Sequence, residues 1–172
     1  YNQAGVYAYE HGFLAIRQLG VPMAATEEQF RRMLFNVVAR NQDDHVKNIA
    51  FLMDRAGTWS LAPAYDVTYA FQPDGLWTAT HQMTFNAKRD GFTRDDFREV
   101  ARFAGLRRGF GEETLERVTE AVARWRDFAV DAAVDEPSDV RLQFRRVDGS
   151  WDDVSIVTWR MSGDGRRRRM IV

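Results

Sequence analysis

Apolar residues recur along the first three-quarters of this chain at steps of three and four, and polar residues gather in the gaps between those stripes. Val6, Tyr9, Phe13, Ile16 and Leu19 mark one face of a helix over residues 6–19. Gly20 followed by Val21-Pro22 ends it, since glycine accepts the left-handed turn that closes a helix and proline cannot continue one. Thr26-Glu27-Glu28-Gln29 has the form of a capping box, in which hydroxyl and Gln side chain would satisfy orphan amides reciprocally. Behind it Phe30, Met33, Leu34, Val37 and Val38 make an apolar stripe, which predicts a helix over 27–39.

The period then shortens. Ile49-Ala50-Phe51-Leu52-Met53 is an apolar run, Asp54-Arg55-Ala56-Gly57 reads as a turn, and Thr58-Trp59-Ser60-Leu61-Ala62 as a returning strand. Such a hairpin brings its flanks together, so Asn48 at its entrance and Asp66 beyond its exit should be near each other. Residues 67–92 are irregular, with a turn at Pro73-Asp74-Gly75 and aromatic residues throughout. Thr93-Arg94-Asp95-Asp96 opens a helix to about Ala104, closed by Gly105. A last helix over 112–131 carries Leu115, Val118, Val122, Trp125, Phe128 and Ala129 on its buried side. The expected class is therefore mainly α with a small β-hairpin.

After about Asp135 the periodicity is lost, apart from an isolated strand at Val154 to Trp159. The division expected is a domain over 1–134 and a divergent, poorly ordered tail over 135–172. Arg166-Arg167-Arg168-Arg169 in that tail reads as a solvated charge run, with phosphate contact as the alternative.

Composition narrows the classes. At 172 residues the chain can bury a real core, and 45% hydrophobic with 13% aromatic residues marks it as globular. The net charge of −1 offers no general basic field for nucleic acid. The lack of cysteine excludes disulfides and thiolate zinc sites and fits a cytoplasmic location. No apolar run reaches the roughly 20 residues that span a bilayer, so no membrane partner is expected. The chain opens in mid-pattern at Tyr1-Asn2-Gln3 without an initiator Met, which reads as a fragment of something longer.

Candidate chemistry is concentrated in Asn41-Gln42-Asp43-Asp44-His45-Val46-Lys47-Asn48, a polar cluster pinned between the firmest helix and the hairpin. Asp43 and Asn48 have the spacing Asp-x-x-x-x-Asn. Phosphoryl transfer needs such a loop: a carboxylate to orient the attacking hydroxyl and take its proton, then an amide oxygen to hold Mg²⁺. A second carboxylate must reach the same metal from another segment, and Asp66 in Ala62-Pro63-Ala64-Tyr65-Asp66-Val67 is placed to do so. Asp44 reads as a solvated or capping acid, and Tyr65 as packing beside Asp66. His45 has two readings, one orienting Asp43 or touching phosphate and the other a structural hydrogen bond to the loop. Lys47 likewise either neutralises phosphate charge or is simply exposed. His11 and His81 read as structural or surface residues. Asp43, Asp44 and His45 as a hydrolytic metal cluster is disfavoured, because neighbouring side chains point apart.

Phe35-Asn36-Val37-Val38, then Asn41 to Asn48, then Leu61-Ala62-Pro63-Ala64-Tyr65-Asp66-Val67 together closely resemble the C-terminal half of HipA-family serine/threonine kinases, toxins of bacterial type II toxin–antitoxin pairs. The resemblance covers about residues 1–130. It implies the helical lobe of a kinase-like enzyme without its nucleotide lobe, with Asp43 as catalytic base and Asn48 and Asp66 as Mg²⁺ ligands. ATP is the implied co-substrate, and the implied targets are proteins such as aminoacyl-tRNA synthetases. A small helix-turn-helix antitoxin is the implied partner, with operator DNA reached only through that complex. The chain departs from the kinase pattern in having no Gly-x-Gly-x-x-Gly and no Val-Ala-Ile-Lys. Without a cover and an ammonium partner for the triphosphate, the chain alone should turn over little ATP. The competing expectation is a truncated, non-catalytic module that binds the antitoxin.

Overall fold

A computed structural model describes residues 3–132 with their side chains and, beyond them, the backbone pairing of residues 137–145 and 151–159. The order of elements is α1 (Tyr9–Gln18), α2 (Met23–Val38), a 3₁₀ turn (Val46–Asn48), β1 (Phe51–Met53), β2 (Trp59–Leu61), α3 (Arg94–Phe103), α4 (Phe110–Ala123), α5 (Trp125–Asp131), β3 (Pro137–Arg145) and β4 (Trp151–Trp159). The fold is mainly helical with a small antiparallel hairpin ahead of α3, as the pattern predicts.

Helix α2 is central because its C-terminal half carries a continuous apolar stripe: Phe30, Met33, Leu34 and Val38 lose all contact with solvent. Phe13 of α1 and Phe110 of α4 meet the Phe30 ring at 6.5 and 6.2 Å. Phe85, Phe92 and Phe97 stack beside them, at 3.9 Å between the first two and 5.3 Å between Phe85 and Phe97. Burying several such rings contributes about 2 kcal/mol each, which outweighs the weak local preferences of the irregular segment 67–92. That segment is held by single bridges, Asn41 to Ala70 and Ala8 to Thr84.

Three boundaries differ from expectation for identifiable reasons. Helix α1 begins at Tyr9 rather than Val6, because Tyr9 donates its N–H to the Thr84 carbonyl (2.9 Å) and Thr84 donates to that of Tyr7 (2.9 Å). Those amides are spent on a long-range bridge; His11 Nδ1 then accepts from the Ala8 N–H at 3.1 Å and closes the helix start. Helix α2 begins at Met23, so Thr26 is not a cap: it lies inside the helix and is 6% exposed. Pro22 (φ −58°, ψ 156°) stands at the cap position, where a missing N–H matters little, and Ala24 and Ala25 propagate the helix ahead of Thr26. The final helix breaks at Arg124 into α4 and α5, and Phe128, expected inside, is 38% exposed while Ala129 is fully buried.

Elsewhere local signals hold. Thr93 Oγ1 accepts from the Asp96 N–H (3.4 Å) and Asp96 Oδ2 accepts from the Thr93 N–H (2.7 Å), a reciprocal box that starts α3. Gly105 (φ +75°) closes it, as Gly20 (φ +66°) closes α1. In the first hairpin Phe51 faces Leu61 and Met53 faces Trp59, and Asp54 Oδ1 accepts from the Ala56 and Thr58 amides in the turn. The strand expected at Val154–Trp159 is not alone: β4 pairs antiparallel with β3, setting Val140 opposite Ile156 and Leu142 opposite Val154. Its missed signal is the alternation Val140-x-Leu142-x-Phe144. The run Arg166–Arg169 lies outside the described residues.

Candidate functional site

Helix α2 ends in a turn that launches the polar cluster. Arg40 takes a left-handed conformation (φ 52°), its N–H reaching the Val37 carbonyl (3.3 Å), while the Asn41 N–H reaches that of Asn36 (2.8 Å). This is the two-bond closure normally made by glycine. The guanidinium of Arg40 lies 4.2 Å over the Phe71 ring, which holds the residue in that conformation. Gln42 next donates its main-chain N–H to the Ala70 carbonyl (3.2 Å). Asp43 therefore begins a loop pinned on one side by a helix end and on the other by residue 70.

Within the loop the Asp43 carbonyl accepts from the His45 N–H (2.9 Å) and from Asn48 Nδ2 (3.2 Å). Asn48, in the 3₁₀ turn, thus reaches back across five residues to the Asp43 main chain and keeps its amide oxygen for other partners. Asp43 is half-buried, and no hydrogen bond to its carboxylate is made among the described residues.

Asp66 arrives by another route. Arg32 of α2 donates from Nη1 to the Ala62 carbonyl (2.9 Å) at the end of β2, and Asn41 Nδ2 donates to the Asp66 carbonyl (3.4 Å). Tyr65 is 39% exposed rather than packed, and its hydroxyl donates to the Lys47 carbonyl. Asp66 itself has φ 54°, a conformation that aspartate tolerates better than most residues and that is concentrated at functional sites.

One cavity collects these parts. Asn41, His45, Asn48, Arg32 and Asp66 all line it, whereas Asp43 and Lys47 do not. Of the expected site residues, then, the fold brings His45, Asn48 and Asp66 to one concavity, holds Asp43 to it through the Asn48 amide, and leaves Lys47 exposed. Two buried polar atoms at this cavity, Asn41 Oδ1 and His45 Nδ1, have no hydrogen-bond partner among the described residues. Buried atoms of that kind are rare enough to point to a ligand or solvent.

Asp44 is the residue whose place the sequence did not reveal. Expected as a solvated or capping acid, it is 1% exposed. Its Oδ2 accepts from the Tyr9 hydroxyl (2.7 Å) and faces His81 Nδ1 (2.8 Å), and its Oδ1 accepts from the Gln82 N–H (2.8 Å). Three donors compensate the lost hydration of a buried carboxylate. Burial, and then the Asp44 charge, push the Tyr9 phenol well above its usual range, so it remains a donor. The chain of bonds continues, because Asn36 Nδ2 donates to Tyr9 Oη (2.8 Å) and Asn41 Nδ2 donates to Asn36 Oδ1 (3.0 Å). Tyr9 and Asn36 carried a readable signal, a hydroxyl and an amide set within or beside apolar stripes. Among the described residues no three His, Asp or Glu side chains are grouped as metal ligands, and with Asp44 turned inward the Asp43–Asp44–His45 cluster does not form.

Comparison with known proteins gives the family and the fold. The family model for the HipA-like C-terminal domain matches residues 1–126. Among solved structures, a chain of the Shewanella oneidensis MR-1 toxin–antitoxin complex of HipA, HipB and operator DNA matches with a TM-score of 0.59 and 22% identity. The match covers 68% of this chain and 28% of that one, so this chain spans little more than a quarter of its solved relative. No curated protein matches. Among the described residues no helix is long and apolar enough to cross a membrane. With the matched span taking in the whole loop, the hairpin, Asp66 and His81, this chain belongs to the family of HipA-like C-terminal domains.

Proposed function

We propose that residues 1–126 are the catalytic-lobe part of an ATP-dependent protein serine/threonine kinase, and that the cavity behind Asp43 is its phosphoryl-transfer site. The observation that carries this reading is that Asn48 and Asp66, eighteen residues apart and on opposite sides of a hairpin, line one cavity while Asn48 also grips the Asp43 main chain. Asp43, half-buried and with no hydrogen bond to its carboxylate among the described residues, suits the base that orients a substrate hydroxyl and takes its proton. The Asn48 amide oxygen and the Asp66 carboxylate are hard oxygen donors of the kind Mg²⁺ takes alongside water and phosphate. The cation would neutralise charge on the transferred phosphoryl group. His45 lines the same cavity and would face the phosphates. The substrate would be a protein hydroxyl, and an aminoacyl-tRNA synthetase is one candidate.

Phosphate transfer from labelled ATP tests this in the chain joined to a nucleotide-binding lobe. Asp43→Asn should lower transfer by about a hundredfold or more, with ATP binding kept. Full activity in that variant would remove Asp43 from the base role.

A second reading rests on the HipA–HipB–DNA assembly of the solved relative. In it the chain is a non-catalytic module that binds a small helix-turn-helix antitoxin, and meets DNA only through it. Antitoxin binding is common to both readings, so phosphate transfer by the joined chain separates them: Asp43-dependent transfer appears only under the first.

A further inference from the structure

We propose that Asn41 is a positioning residue for the cation site, holding Asp66 by its main chain and turning a buried carbonyl oxygen toward the cation's water shell. The proposal rests on the reading of Asn48 and Asp66 as cation ligands. Its support is independent of that reading. Asn41 is 2% exposed, yet it lines the cavity together with Asn48 and Asp66. Its Nδ2 divides between Asn36 Oδ1 (3.0 Å) and the Asp66 carbonyl (3.4 Å). Its Oδ1 is buried and has no hydrogen-bond partner among the described residues.

Each of these facts constrains the chemistry. Asp66 holds a left-handed backbone (φ 54°) that needs outside support, and the Asn41 amide reaches its carbonyl. An amide oxygen left unpaired in the interior is costly unless a ligand or ordered water meets it. Asn41 lines the same cavity as Asn48 and Asp66, and an amide oxygen that lacks a partner there is suited to a water of a hydrated divalent cation. The side chain cannot rotate away without losing both donor contacts. It is also backed by a one-directional chain, Asn41 to Asn36 to Tyr9 to Asp44, that ends on a buried carboxylate with two further donors. The arrangement ties the metal-side acid Asp66 to the residue next to Asp43, so that the two halves of the site share one register.

Mn²⁺ titrated into the isotope-labelled chain tests this, read by paramagnetic broadening of the Asn48 side-chain amide and the Val67 main-chain amide, with thermal unfolding run in parallel. Asn41→Ala should raise the Mn²⁺ midpoint about tenfold or more, as loss of supporting residues around metals does. Tyr9→Phe, which keeps the ring and cuts the chain between Asn36 and Asp44, should raise it in the same direction. It also decides the matter if Asn41→Ala does not fold. A purely structural role would lower the unfolding temperature of both variants and leave the Mn²⁺ midpoint where it was, and that result overturns the proposal. If Asp66→Asn binds Mn²⁺ as well as the unsubstituted chain, or the unsubstituted chain shows no broadening, the cation site itself is wrong and this proposal falls with it.

Discussion

Asp43 and Asp44 are neighbours in the chain with opposite surroundings. Asp43 is half-buried beside the cavity, while Asp44 is enclosed by Tyr9, His81 and Gln82. Removing a buried carboxylate strands its donors, so Asp44→Ala should destabilise the fold by about 3 kcal/mol in urea unfolding. A loss below about 1 kcal/mol would mean that the network contributes little. Asp96 gives a pH-dependent counterpart. Burial pushes its carboxyl up, but hydrogen bonds from Lys88, Thr93 and Asn86 outweigh that and hold it below the usual carboxylate range. A depressed folded value means that the stabilisation is complete above the unfolded value of about 4 and fades as pH falls through the folded one. The difference in urea midpoint between the unsubstituted chain and Asp96→Asn should therefore narrow from about pH 7 to about pH 3. A constant gap would show that the lost contribution is not electrostatic.

At the scale of elements, boundaries with local causes were readable and those with remote causes were not. The box at Thr93 and the closures at Gly20 and Gly105 lie within a turn of the residues they serve, so composition alone locates them. Gly20 shows what such a closure requires: an added Cβ would meet nothing within 4 Å, yet φ is +66°. Gly20→Ala should thus cost about 1–2 kcal/mol through backbone strain alone, measurable as a lower thermal midpoint. An unchanged midpoint would mean that the turn relaxes. The same closure after α2 uses Arg40, whose compensation comes from Phe71, thirty-one residues away, and nothing near Arg40 announces it. Thr26 misled for the opposite reason: Thr-x-x-Gln is a capping signal, but Pro22 already begins the helix a turn earlier.

Over the whole molecule, the hydrophobic core and the polar site are two sides of the same helices. The face of α2 that carries Phe30, Met33 and Leu34 is buried in the core, and Arg32 and Asn36 of the same helix line the cavity. The chain contains no Gly-x-Gly-x-x-Gly to cradle a triphosphate, so ATP turnover by these 172 residues alone should match a protein-free control. Measurable Asp43-dependent turnover would show that phosphate binding is supplied in another way. The residues by themselves determined what is local: the stripes, the cap at Thr93, the hairpin and the five-residue step from Asp43 to Asn48. Only the tertiary structure decided that Asp44 points inward and that Asn41 joins Asn48 and Asp66 at one cavity. The bonds that orient Asp44 span 35 to 38 residues. No window of sequence contains both ends of such a bond, and the burial that closes so long a loop belongs to the assembled core.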